Sequence, residues 1–158
     1  MLRLAIDVAP WAALYCALTA ASMLFGPVVA AHHRNMKRAA DRMYWASSVN
    51  STVNGVVCTV LAAVECSRSG LMGSGDFLLT TAGSHRVCNS LLGYLVWDSV
   101  LLLWNRGEWR QSSIYLMHHA LAIFGWSCCV QGSICHNVAV PIVMCEATSP
   151  FINARYFL

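Results

Sequence analysis

The chain has 158 residues, 58% hydrophobic and 11% charged, whereas an average soluble domain carries about a quarter charged residues. That balance excludes an ordinary water-soluble globule, and a formal charge of only +3 leaves no nucleic-acid footprint. The spacing of the charges assigns the class, because residues 8–31, 43–64 and 111–145 contain no Asp, Glu, Lys or Arg.

The first run suits one membrane span, since a bilayer core takes about 20 apolar residues. Arg3 precedes it, as in a secretory leader, but cleaved leaders have apolar runs of only about 7–15 residues. It reads as a retained helix, with Pro10 near its start and Pro27 near its end; a cleaved leader is the alternative. The stretch AHHRNMKRAADRMYW (31–45) follows, with Arg34, Lys37, Arg38 and Arg42 against Asp41 alone. Basic residues concentrate in cytoplasmic loops, so this loop goes to the cytosol and the N-terminus to the lumen or outside. Alternation then puts seven basic residues on the cytosolic side and three (Arg3, Arg68 and Arg86) on the other. Tyr44, Trp45, Trp104 and Trp109 flank cytosolic helix ends, where aromatic rings prefer to sit.

A second span fills 43–64. The loop SRSGLMGSGDFLLTTAGSHR (67–86) is too rich in glycine to be helical throughout. Residues 87–104 make a third span, interrupted by Asp98, and 111–145 is long enough for two more around Gln131-Gly132-Ser133. The expected fold is an all-α, polytopic transmembrane helix bundle of about five spans. Glu65 and His136 fall at the far membrane edge and read as solvated, while His32, His33 and His85 are loop residues without an evident role. Of the eight cysteines, six lie within spans and behave as small buried hydrophobes. Cys66 and Cys135 lie at span ends on the same predicted side, which leaves one bridge between them as an alternative, and no pair has the C-x-x-C spacing of a zinc site.

Ionisable groups within spans are rare, and they face a bundle interior or a wet cavity. This chain has Asp98, His118, His119 and Glu146, with Asn54 as a neutral companion. At about 1.5 Å per residue, Asp98 lies about 9 Å from the cytosolic end of its helix and His118 about 8 Å from the same side. Asn54 and Glu146 are both roughly 13 Å deep. Four helices thus place polar groups at similar depth, which suits a buried cluster better than the drawn-out path of a channel. A histidine beside a carboxylate can act as a general base. The adjacent histidines point about 100° apart, so one can face a cavity while the other meets Asp98. Metal-binding histidines on one helix lie a turn apart, which this pair does not, so no metal is expected. The alternative for every member, Asn54 above all, is interhelical hydrogen bonding worth about 1 kcal/mol or less. Gly93 and Tyr94 mark a close helix contact, and Trp97 and Trp126 are packing residues.

The stretches LLGYLVWD (91–98), YLMHHALAI (115–123) and MCEATSPFINARYFL (144–158), preceded by WASSVNSTVNG (45–55), resemble successive signatures of the TLC domain. This polytopic membrane domain is shared by ceramide synthases, translocation-associated membrane proteins and several lipid-homeostasis proteins of the endoplasmic reticulum. The likeness covers residues 45–158 and leaves 1–44 as an N-terminal helix with a basic loop. It implies His118, His119 and Asp98 as catalytic candidates, and Asn54, Tyr94, Glu146 and Arg155 as binding candidates. Two departures separate the chain from the synthases. Asn54 stands where the family's first helix often has a histidine, and EATSPFINAR replaces a paired-aspartate stretch. The resemblance therefore implies the non-synthase branch: a lipid-homeostasis protein of the endoplasmic reticulum that handles lipid in a cytosolic-half cavity. The alternative is an acyltransferase in which the histidine pair is the general base. Membrane lipids are the expected partners and no cofactor is expected, acyl-CoA entering only as donor in the acyltransferase alternative. The chain ends at RYFL, where family members continue into another helix, so the domain is expected to be C-terminally incomplete.

Overall fold

The structure, a computed structural model, describes residues 2–154 and 157. Its helices are α1 (Leu2–Val29), α2 (Ala31–Asn35), α3 (Ala39–Ser69), α4 (Ala82–Trp104), α5 (Ser112–Gly132), α6 (His136–Val143) and α7 (Ser149–Ala154). A 3-10 turn, Met144–Thr148, joins the last two, and the described residues contain no strand. The expected all-α bundle is therefore what forms. Helices α1, α3, α4 and α5 are each long and apolar enough to cross a membrane. The 31 residues of α3 reach about 46 Å, so it tilts or projects beyond a hydrocarbon core of about 30 Å.

Paired contacts fix the directions of the helices. Tyr15 on α1 meets Asn54 on α3 and Tyr94 on α4. One turn later, Thr19 meets Asn50 and Trp97. Rising numbers on α1 thus track falling numbers on α3 and rising numbers on α4, and the chain runs back and forth as a bundle should. Helix α4 is the axis: 67% of its most apolar window is buried, against 6% for α5. Its core residues Val87, Leu91, Leu92 and Leu95 pack with Val8, Cys58 and Ala62. Gly93 permits the closest approach, because a Cβ there would collide with the Trp11 side chain and come within 2.8 Å of the Ala12 nitrogen.

Lipid tails give helices little hydrophobic reason to associate, so polar side chains tie them together. Asn50 donates to the Thr19 hydroxyl at 2.7 Å, and the Trp97 indole donates to the same oxygen at 2.8 Å. The ends are equally specified. Gly70 closes α3 in the left-handed conformation (φ 66°), which glycine adopts without steric cost. Thr81 opens α4 with a reciprocal capping box to Ser84.

Three polar residues sit differently from the sequence expectation. Glu65 is half-buried and accepts the Thr81 hydroxyl at 2.5 Å, because the 70–81 loop folds back over the end of α3. His136 is fully buried, with Nδ1 2.7 Å from the Ser84 hydroxyl and its ring tilted against that of His85 at 4.5 Å. His33 is also fully buried, its ring 4.9 Å from Trp45 and packed over Gly26, and burial together with Arg42 holds its pKa below the ordinary value. All eight cysteines are free, Cys66 and Cys135 included.

Of the five spans expected, four form among the described residues; the fifth segment does not make a continuous crossing helix but a series of short pieces. It runs back along α3, with the Glu146 carbonyl against Gly55 and the Asn153 amide donating to the Ser48 carbonyl at 3.2 Å. Pro141 lies inside α6, where it cannot donate to the helical ladder, and the tighter 3-10 turn follows three residues later. Lipid-exposed irregular backbone is not tolerated at membrane depth, so such a break belongs where protein or a cavity surrounds it.

Candidate functional site

A cavity of about 360 Å³ opens beside this break. Its wall is built from the first turns of α3 (Tyr44, Ser47, Ser48, Ser51), the last turns of α4 (Tyr94, Asp98, Leu102), the first turns of α5 (Tyr115, His118, His119) and the broken segment (Glu146, Ser149, Asn153). The charge-free run 111–145 lets α5 enter the membrane immediately after the 105–111 loop. That register brings its histidines level with Asp98 on the preceding helix.

Asp98 and His119 form the centre of the site and are nearly inaccessible, at 6% exposure each. The His119 Nε2 lies 3.1 Å from Asp98 Oδ2, and the Ser47 hydroxyl donates to Oδ1 at 2.7 Å. The His119 Nδ1 lies 2.7 Å from the Tyr115 carbonyl, which can only accept. The Nδ1 therefore carries a proton, and Nε2 is left facing a carboxylate. The Nε2–Oδ2 contact has the distance of an ion pair without the geometry of a hydrogen bond. His119 is thus held by a hydrogen bond at Nδ1 and by a charge contact to Asp98 at Nε2.

His118 is placed otherwise. Its ring stands edge-on to His119 with centroids 5.8 Å apart, is exposed, and lines the cavity. The two adjacent histidines divide as their angular separation predicts, one to Asp98 and one to open space. Glu146 is half-buried on the opposite wall and accepts from the Ser149 hydroxyl at 3.4 Å. Tyr94 packs 6.3 Å from the His119 ring. Five of the candidates thus share one cavity. Asn54 stands apart from its lining: fully buried between α1 and α3, it accepts from Tyr15 at 3.1 Å and from Cys58 at 3.1 Å. Arg155 lies outside the described residues. Among the described residues no three His, Cys, Asp or Glu side chains converge as a metal site.

The sequence reading did not single out Ser47, Ser51 or Ser149. Ser47 and Ser51 are one turn apart on α3, a polar stripe in an apolar span, and that spacing was the available signal. Ser149 could not be found this way, because only the break in the fifth segment turns it inward.

A second cavity of about 370 Å³ adjoins the first, sharing Tyr44, Leu102, Trp109 and Tyr115 as wall and extending to Asp41 in the first turn of α3 and to Glu108 and Arg110 in the loop after α4. The Trp109 indole donates to the Ala40 carbonyl at 3.1 Å and holds the 105–111 loop against α3. Arg38 pairs with Glu108 across the rim.

The family model for the TLC domain matches residues 44–158. No curated protein and no solved structure matches the chain.

Proposed function

We propose that this chain, which belongs to the TLC-domain family, binds a membrane lipid with its polar headgroup in the cavity at Asp98, His118, His119 and Glu146, and serves lipid homeostasis in the endoplasmic reticulum. It is an integral multi-pass membrane protein, so a lipid reaches such a site from the surrounding bilayer without crossing water. The carrying observation is a polar cavity at membrane depth, walled on one side by the broken segment Met144–Thr148. Ionisable groups and irregular backbone are both costly in a bilayer unless they line such a space. The adjoining cavity leads from the basic-loop face and suits a headgroup entering from the cytosolic side.

One further observation favours acyl transfer as a second reading. His118 has no hydrogen-bond partner among the described residues and faces Glu146 across open space. In that reaction the His118 ring takes a proton from an amine or hydroxyl of the acceptor. The freed lone pair attacks the thioester carbonyl of acyl-CoA, the C–S bond breaks, and the thiolate leaves with the proton. The Asp98–His119 pair positions His118 and carries no bond-forming step.

Lipids retained by the purified chain in mild detergent, identified by mass spectrometry, test the site against His118→Ala and Asp98→Asn at equal folded protein. Loss of one lipid class in both variants is expected. An unchanged lipid complement would remove the cavity from consideration. Lipid profiles of cells expressing the same chains separate the two readings: a product class that rises only with wild type favours transfer.

A further inference from the structure

Sequence topology leaves three basic residues on the face opposite the basic loop, Arg3, Arg68 and Arg86, and two of these converge. Arg3 on the first turn of α1 and Arg86 on the second turn of α4 line one cavity of about 670 Å³, together with Asp7, His85, Asn89 and Gln131. The parallel course of α1 and α4 brings their starts together, and the end of α5 closes the third side. Asn89 and Asp98 are nine residues apart on α4, so this cavity lies about 13 Å along that helix from the histidine site, toward the other face.

We propose that this cavity between the starts of α1 and α4 binds the phosphate of an anionic amphiphile, with a headgroup hydroxyl reaching Asn89. Both guanidinium groups are exposed, and among the described residues neither is in an ion pair, although Asp7 shares the cavity. Two unpaired arginines beside one carboxylate leave a net positive space, and the start of α4 adds the positive end of its helix dipole. Arginine forks match phosphate oxygens bidentately. Asn89 supplies an independent sign. It is 93% buried (7% exposed), lines the cavity, and its Oδ1 has no hydrogen-bond partner. A buried acceptor without a partner is costly; a half-turn of the amide would present it to the cavity, where a ligand hydroxyl would satisfy it. Phosphate with hydroxyl is the chemistry of a polyol phospholipid headgroup, and inorganic phosphate offers the same oxygens without the acyl chains. The cavity sits where α1, α4 and α5 leave the apolar region, the level of a lipid phosphate.

Calorimetric titration of the full chain in neutral maltoside detergent tests the site with three probes: dihexanoyl phosphatidylglycerol, dihexanoyl phosphatidylcholine and inorganic phosphate. Saturable binding of the glycerol lipid is expected, with weaker binding of the choline lipid, which offers no hydroxyl and carries its own cation. The Arg3→Gln/Arg86→Gln double variant is expected to weaken binding at least about tenfold, the worth of one charge-assisted hydrogen bond. The exposed Arg106→Gln at the other end is expected to leave it unchanged. Asn89→Ala is expected to reduce the preference for the glycerol lipid while retaining phosphate affinity. Binding of inorganic phosphate as tight as that of the lipid assigns the site to a free anion. Equal affinity for both lipids, or full affinity in the double variant, overturns the site. The arginine variants replace exposed side chains and Asn89→Ala a buried one, so thermal melting matched to wild type is required of each to separate lost binding from lost fold.

Discussion

At the scale of single residues, one polar pair holds together what the rest of the site borrows. Asp98 and His119 are both buried, so removing either partner leaves the other group uncompensated in low dielectric. Breaking such a pair costs about 3–5 kcal/mol, while removing both partners costs much less than the sum. Asp98→Ala and His119→Ala are each expected to lower stability by about 3 kcal/mol, with the double variant near either single value. Thermal or denaturant unfolding in detergent checks the cycle; additive losses would show that the two do not interact. The surface pair Arg38–Glu108 is the contrast, since both side chains are more than half exposed and such pairs contribute about 1 kcal/mol at most. Asp98 and the histidines were legible in the sequence, because an ionisable residue in an apolar run is conspicuous. The proton arrangement was not. It depends on the Tyr115 carbonyl, a backbone group that every residue carries and that only the fold aims at His119.

Among the elements, the broken fifth segment decides the shape of the cavity. A hydrophobic, charge-free run reads as a continuous span, and nothing in its composition separates a straight helix from an interrupted one. The interruption follows from Pro141 and from packing against Gly55. A Cβ at Gly55 would come within 2.6 Å of the Glu146 carbonyl and 2.9 Å of the Pro150 ring, both of which are stiff. Gly55→Ala is therefore expected to cost about 1–3 kcal/mol as an overpacking change and to push the Glu146 wall outward, reducing lipid retention. Gly75→Ala is expected to be neutral, because a Cβ there meets nothing within 4 Å. Melting temperature and retained lipid, read together on both variants, check this; equal behaviour of the two would mean the contact does not set the wall.

For the whole molecule, burial is unevenly shared. Helix α4 packs on α1, α3 and α5, whereas α5 turns Leu121 (68% exposed) and Phe124 (71% exposed) outward toward lipid. The polar ties Asn50–Thr19–Trp97 and Tyr15–Asn54 join α1 to α3 and α4, but α5 has few such ties beyond His119. Stability is local where contacts are few. Hydrogen exchange in detergent is therefore expected to be slowest along α4, faster along α5, and fastest across Met144–Ala154, where short pieces lack a full helical ladder. Uniform protection across α4 and α5 would contradict this order.

The sequence by itself determined the class, the family and the level of the site. Charge spacing fixes where a chain can enter a bilayer, and the TLC-like stretches lie in the run that the family match covers. Helix rise then sets the depth of each polar side chain to within about a turn. Only the tertiary structure decided which polar groups share a space. Depth is one coordinate, and the azimuth of each helix comes from packing at positions such as Gly93 and Gly55. That azimuth turned His119 to Asp98, left His118 facing the cavity and kept Asn54 among the helices. It also brought Arg3 and Arg86, 83 residues apart in the chain, to the rim of one cavity.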